Sequence, residues 1–108
     1  AVSIGNVHGV YQRAENFKLD LGRLSVIKRE VGDDVFLVLH GGSGISFNQL
    51  KKSIEKGIVK ININTEIRTA WRKALEKSLK NSPNEITPYK LMSSVTEAIQ
   101  KTIEKKLK

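Results

Sequence analysis

His8 and His40 are the only histidines in the chain, and each is followed at once by glycine, in "HGV" and "HGG". Imidazole nitrogens converging at about 2.0–2.1 Å can bind zinc, and neighbouring parallel strands can bring two of them together from distant sequence positions. A catalytic zinc usually takes three protein ligands and keeps one position open, so a third donor would have to come from elsewhere. Structural histidines in turns are the alternative. Behind His40 runs "GGSG", Gly41 to Gly44, whose backbone N–H groups can approach an anion while Ser43 offers a hydroxyl and a helix starting near Ser46 adds partial positive charge. The same glycines could simply satisfy the backbone angles of a tight turn. Further on, "NINT" places Asn62 and Asn64 on one face at a strand end, with Thr65 able to cap the next helix or to bind phosphate with it. Trp71 falls on an apolar helix stripe and is expected in the core, and Arg68 reads as a surface charge.

These residues need elements to carry them. "AVSI" reads as a strand end before Gly5. Asp20 can cap a helix with Leu21, Leu24, Ile27 and Val31 at helical spacing, and Gly32 stands at its C-terminus. "VFLVLH", Val35 to His40, is a continuous apolar run of the kind found in strands buried on both faces. Ser46 with Gln49 makes a capping box, Leu50 and Ile54 supply the stripe, and Gly57 ends the helix. "IVKININ" alternates, with Val59, Ile61 and Ile63 on one face and Lys60, Asn62 and Asn64 on the other. One helix follows from Thr65 to the break at "NSPNE", and another from Thr87-Pro88. Strand-helix alternation predicts an α/β fold with a parallel sheet, and in that class functional groups gather at the C-terminal strand ends. His8, His40 and the segment Asn62 to Thr65 all sit at such ends.

Length and charge narrow the partners. With 108 residues there is room for one domain. No apolar run approaches the roughly 20 residues of a membrane span, and "AVSIGNVHG" does not have the pattern of a signal peptide. No membrane role is expected, and the absence of cysteine fits a cytoplasmic setting. A net charge of +8 would suggest nucleic acid if it formed a patch. Residues 1–50 hold five basic and five acidic side chains and residues 51–108 fourteen and six, with the lysines interleaved with glutamates in helical segments. A solvated helix face is expected, and no nucleic-acid partner. The start at Ala1, inside a strand and without methionine, suggests part of something longer.

Taken together, "GNVHGVY" (Gly5 to Tyr11), "LVLHGGSG" (Leu37 to Gly44) and "GIVKININTEIR" (Gly57 to Arg68) resemble, in order and spacing, the final strands of the class II, metal-dependent fructose-bisphosphate aldolases. The resemblance spans the whole chain. It implies about strands six to eight of a (β/α)8 TIM barrel plus terminal helices at 65–108, since a full barrel takes about 250 residues. It further implies His8 and His40 as two zinc ligands, with zinc stabilising the enediolate of dihydroxyacetone phosphate as a Lewis acid. By the same resemblance Gly9, Gly41, Ser43 and Thr65 hold substrate phosphate, and Asn62 contacts the enediolate. Asn64 joins the substrate site, and the glycine loops can hold a monovalent cation, sodium or potassium. Asn64 stands where many relatives have aspartate, and Gln12 where lysine is common. The family's catalytic aspartate and remaining zinc histidine belong to earlier strands, so the chain alone is expected to be inactive and to need the rest of the barrel. A complete protein is expected to form a homodimer or homotetramer. A tagatose-bisphosphate or related ketose-phosphate aldolase, or a non-catalytic partial-barrel assembly module, are the alternatives at this stage.

Overall fold

The computed structural model describes residues 2–6 and 18–107, in two compact units, Ala1–Thr65 and Glu66–Lys108. In the first unit the order is α1 (Leu21–Val31), β1 (Leu37–Leu39), α2 (Phe47–Glu55) and β2 (Ile58–Ile61). The strands pair in parallel. Val2 adds an isolated parallel bridge to Leu39, with Val2 N donating to Val38 O at 3.1 Å. Three successive extended segments thus lie side by side in chain order, each pair joined by a helix, as expected for part of an α/β sheet.

Each helix starts at its polar cap. Arg23 N donates to Asp20 Oδ1 at 2.8 Å, satisfying one of the N–H groups a first turn leaves open, and Gly32 N closes the other end on Lys28 O. Ser46 Oγ accepts from Gln49 N, as the sequence predicts. The Gln49 side-chain carbonyl accepts from Leu19 N at 2.6 Å, so this residue also anchors the segment that leads into α1.

The strands are shorter than their apolar runs, and their register shifts once. Leu37 pairs with Ile58, but Val38 pairs with Lys60 and Leu39 with Ile61, so β2 carries one extra residue, Val59. Such a bulge shifts the side-chain alternation by one. Ile58 and Ile61 therefore share the face of Leu37 and Leu39. Ile61 thus parts from Val59, which is 62% exposed, and joins Ile58, which is 2% exposed; this corrects the strict alternation expected through "IVKININ", with Val59 and Ile61 on one face. Phe36, expected inside a buried strand, precedes β1 and is 77% exposed. The core consists of Ile4, Leu19, Leu24, Leu37, Leu39, Ile45, Leu50 and Ile58, joining the sheet to α1 and α2.

The second unit is built from α3 (Thr65–Asn81) and α4 (Pro88–Leu107). Ser78 Oγ donates to Leu91 O at 2.9 Å near the turn, and Lys106 pairs with Glu66 at 2.9 Å at the opposite end. The helices are therefore antiparallel. Val95 is fully buried, whereas Trp71, expected in the core, is partly exposed. A helix pair has a single seam, and a stripe as wide as Ile67, Ala70, Trp71, Ala74, Leu75 and Leu79 exceeds what one seam covers.

Candidate functional site

The site grows out of the ends of β1 and β2. After Leu39 the chain leaves the ladder, and Asn62 N donates to Leu39 O at 2.9 Å while Gly42 N donates to Asn62 O at 3.0 Å. These two bonds hold the glycine turn against the end of β2. Because the bulge lies upstream, Lys60 and Asn62 fall on the same side as Val38 and His40. Asn62 Nδ2 accordingly lies 3.2 Å from His40 Nε2. Two residues 22 positions apart become a hydrogen-bonded pair, both half-buried.

The turn is shaped by two different constraints. Gly41 has φ +64°, in the left-handed region that side chains disfavour. Gly42 is limited by space: a Cβ there would lie 2.6 Å from Ile61 Cγ2 and 3.2 Å from Asn62 O. Ser43 follows half-buried, and Ile45 N closes the turn on Gly42 O at 3.4 Å. The glycines thus have structural duties, and those duties are what bring backbone and Ser43 beside His40 and Asn62.

Among the other expected site residues, Thr65 is half-buried as the first residue of α3 and Asn64 is exposed just before it. Arg68 is exposed on α3. His8 and Gly9, with Tyr11 and Gln12, lie outside the described residues. Among the described residues no group of three His, Cys, Asp or Glu side chains could hold a metal ion. No described helix is long and apolar enough to cross a membrane.

One participant carried no signal of its own in the sequence. Asn6 Nδ2 donates to His40 O at 2.6 Å, and its Oδ1 accepts from Ile4 N at 2.9 Å. Only its place two residues before "HG" could have drawn attention to it. A shallow cleft of about 540 Å³ lies at the opposite, N-terminal ends of the strands, lined by Ser25, Lys28, Asp33 and Lys56 among others. Its lysines are engaged locally, Lys28 with Asp33 and Gly32 O, Lys56 with Ser25.

The family model for class-II fructose-bisphosphate aldolase matches residues 1–108. The chain belongs to the class-II fructose-bisphosphate aldolase family. A 6-phospho-5-dehydro-2-deoxy-D-gluconate aldolase of Bacillus velezensis is 37% identical over 108 residues, covering 100% of this chain and 36% of that protein. A fructose-bisphosphate aldolase of Ureaplasma parvum is 40% identical over 109 residues, covering 95% of this chain and 36% of the relative. Among solved structures, a protein described as a fructose-1,6-biphosphate aldolase from Coccidioides immitis superposes with a TM-score of 0.74 at 34% identity, covering 95% of this chain and 34% of that one. The YdjI aldolase of Escherichia coli K12 gives 0.63 at 28%, covering 96% and 35%. The chain therefore spans about a third of the length of the family members it matches. Membership makes it part of an aldolase family, and the α/β arrangement of the described residues agrees with that fold.

Proposed function

We propose that this chain is the C-terminal part, about strands six to eight with the terminal helices, of a zinc-dependent aldolase barrel. The enzyme reversibly cleaves fructose 1,6-bisphosphate to dihydroxyacetone phosphate and glyceraldehyde 3-phosphate. The observation that carries this reading is the meeting of His40 and Asn62 beside the "GGSG" turn at the C-terminal strand ends, in a chain of this family.

Cleavage breaks the bond between C3 and C4. The C4 hydroxyl gives up its proton and becomes the aldehyde, and the electron pair moves toward the C2 ketone before C3 is protonated. His40 and His8 would hold zinc together with donors from strands outside this chain. The metal supplies Lewis-acid stabilisation of the negative charge that develops at the ketone end. Gly41, Gly9 and Ser43 receive the phosphate through backbone N–H groups and a hydroxyl, assisted by Thr65 at the start of α3. Asn62, already fixed through its own backbone bonds, presents its carboxamide to the ketone-derived oxygens, and Asn64 lines the outer rim. The acid–base group that takes the C4 proton belongs to the missing strands. The glycine turns can also hold sodium or potassium.

A second substrate has a specific claim, because the first relatives named above include a 6-phospho-5-dehydro-2-deoxy-D-gluconate aldolase. In that compound C5 is the ketone and C6 carries the phosphate. Aldol cleavage between C3 and C4 also leaves dihydroxyacetone phosphate, with a three-carbon aldehyde acid as the other product. The two substrates differ only in the half that departs. The residues of this chain serve the half they share.

The test uses the complete polypeptide. Fructose 1,6-bisphosphate should be cleaved, cleavage should be lost in chelator and zinc should restore it, with glyceraldehyde 3-phosphate as the aldehyde product. Release of the aldehyde acid from the second substrate at a higher kcat/KM would replace the first. Unchanged activity in chelator, or a lysine Schiff base trapped by borohydride, would sink the class II reading.

A further inference from the structure

We propose that Asn6 is a positioning residue for His40, fixing the peptide that follows the imidazole. The role rests on the reading of His40 as a metal ligand.

The Asn6 carboxamide joins two strand ends. Its Oδ1 accepts from Ile4 N at 2.9 Å and its Nδ2 donates to His40 O at 2.6 Å, across 34 positions of sequence. The first bond sets the amide's orientation: a backbone N–H needs the oxygen, and a carbonyl needs the nitrogen. Ile4 is itself held, since it is buried in the core and its carbonyl accepts from Asp20 N at 2.8 Å. Asn6 therefore reaches His40 from a fixed base. On the far side of the same strand end, Asn62 N bonds Leu39 O and Gly42 N bonds Asn62 O. The His40 carbonyl lies past the end of β1. Holding that oxygen fixes ψ of His40 and the peptide plane into Gly41, which must take φ +64°. Backbone angles restrict the side-chain rotamer, so the tie acts on the imidazole through the main chain.

The chemistry singles out asparagine. An aspartate could accept from Ile4 N but would turn a second oxygen toward His40 O with nothing to donate. Asn6→Asp is nearly isosteric, keeps one bond and inverts the other.

The experiment uses the complete zinc-loaded protein. Zinc affinity is measured by competition with a chromophoric chelator, together with kcat, KM for fructose 1,6-bisphosphate, and Tm of the zinc-free form. Partners that orient metal ligands typically contribute 10–100-fold in affinity or activity. Asn6→Asp and Asn6→Ala are expected to lose about that much zinc affinity and kcat, with KM little changed. Ser78→Ala removes a bond that joins α3 to α4 and should lower Tm without altering zinc affinity. Wild-type zinc affinity in Asn6→Asp overturns the proposal. Should that variant not fold, side-chain amide exchange in the wild type decides: protected Asn6 Nδ2 protons support the tie, and exchange at the rate of a free carboxamide overturns it. A wild type that binds no zinc sinks the aldolase reading as well, an outcome distinct from a zinc-binding wild type that an Asn6 variant matches.

Discussion

Gly42 shows how little room the site leaves for a side chain. Its hypothetical Cβ meets both a side-chain carbon, Ile61 Cγ2 at 2.6 Å, and a backbone oxygen, Asn62 O at 3.2 Å. The first could shift by rotation, but the second belongs to the bond that Gly42 N makes. Gly42→Ala is therefore expected to destabilise the protein by about 1–3 kcal/mol, the usual cost of forcing extra volume into a packed region. Denaturant unfolding measures this, and an unchanged midpoint would show that the turn is free to move away. In the complete enzyme the same substitution should reduce kcat, because Asn62 would be pushed from its place 3.2 Å from His40 Nε2.

Among the elements, α4 begins beside a carboxylate that is held at both oxygens. Glu85 Oε1 accepts from Thr87 N at 3.0 Å, and Lys90 lies 3.1 Å from Oε2. Hydrogen bonds from Thr87, side chain and backbone, and from Lys90 hold the Glu85 carboxyl below its ordinary range. Lys80 with Arg72 does the same for Glu76, and Lys101 for Glu97. A carboxyl with a depressed folded value stabilises the helix above its unfolded pKa and loses that contribution as pH falls through the folded value. Helicity followed by circular dichroism should thus hold above about pH 4.3, the unperturbed glutamate value, and decline below it. Glu85→Gln should flatten part of that decline, and an identical profile would remove Glu85 from the account. These pairs are solvent-exposed, so salt should weaken them.

For the whole molecule, the decisive fact is that the chain spans about a third of the relatives it matches. Among the described residues its sheet has two strands and one bridge, and such a sheet leaves unpaired edges. Phe36 and Val59 stand exposed beside it. Expressed alone, the 108-residue chain is expected to bind a hydrophobic dye, to self-associate and to show no aldol cleavage. Phe36→Lys should reduce association measured by light scattering. A monodisperse, dye-silent chain would mean that the exposed surface is tolerated without the rest of a barrel.

The local pieces are legible in the order of residues alone. Asp20 and Ser46 announced helix starts that α1 and α2 obey, the apolar runs announced a parallel sheet, and three short motifs in order announced the family. Caps and apolar periodicity are set by near neighbours, so they are legible without a fold. What the tertiary structure decided depends on pairing. The extra residue at Val59 appears only when β1 and β2 are laid in register, and it explains why Ile61, three residues after Ile58, shares the face of Ile58. The link from Asn6 to His40 and the meeting of His40 with Asn62 are likewise properties of strands brought side by side. Trp71 stands partly exposed because periodicity says which face of a helix is apolar and not how much of it a single neighbour can cover.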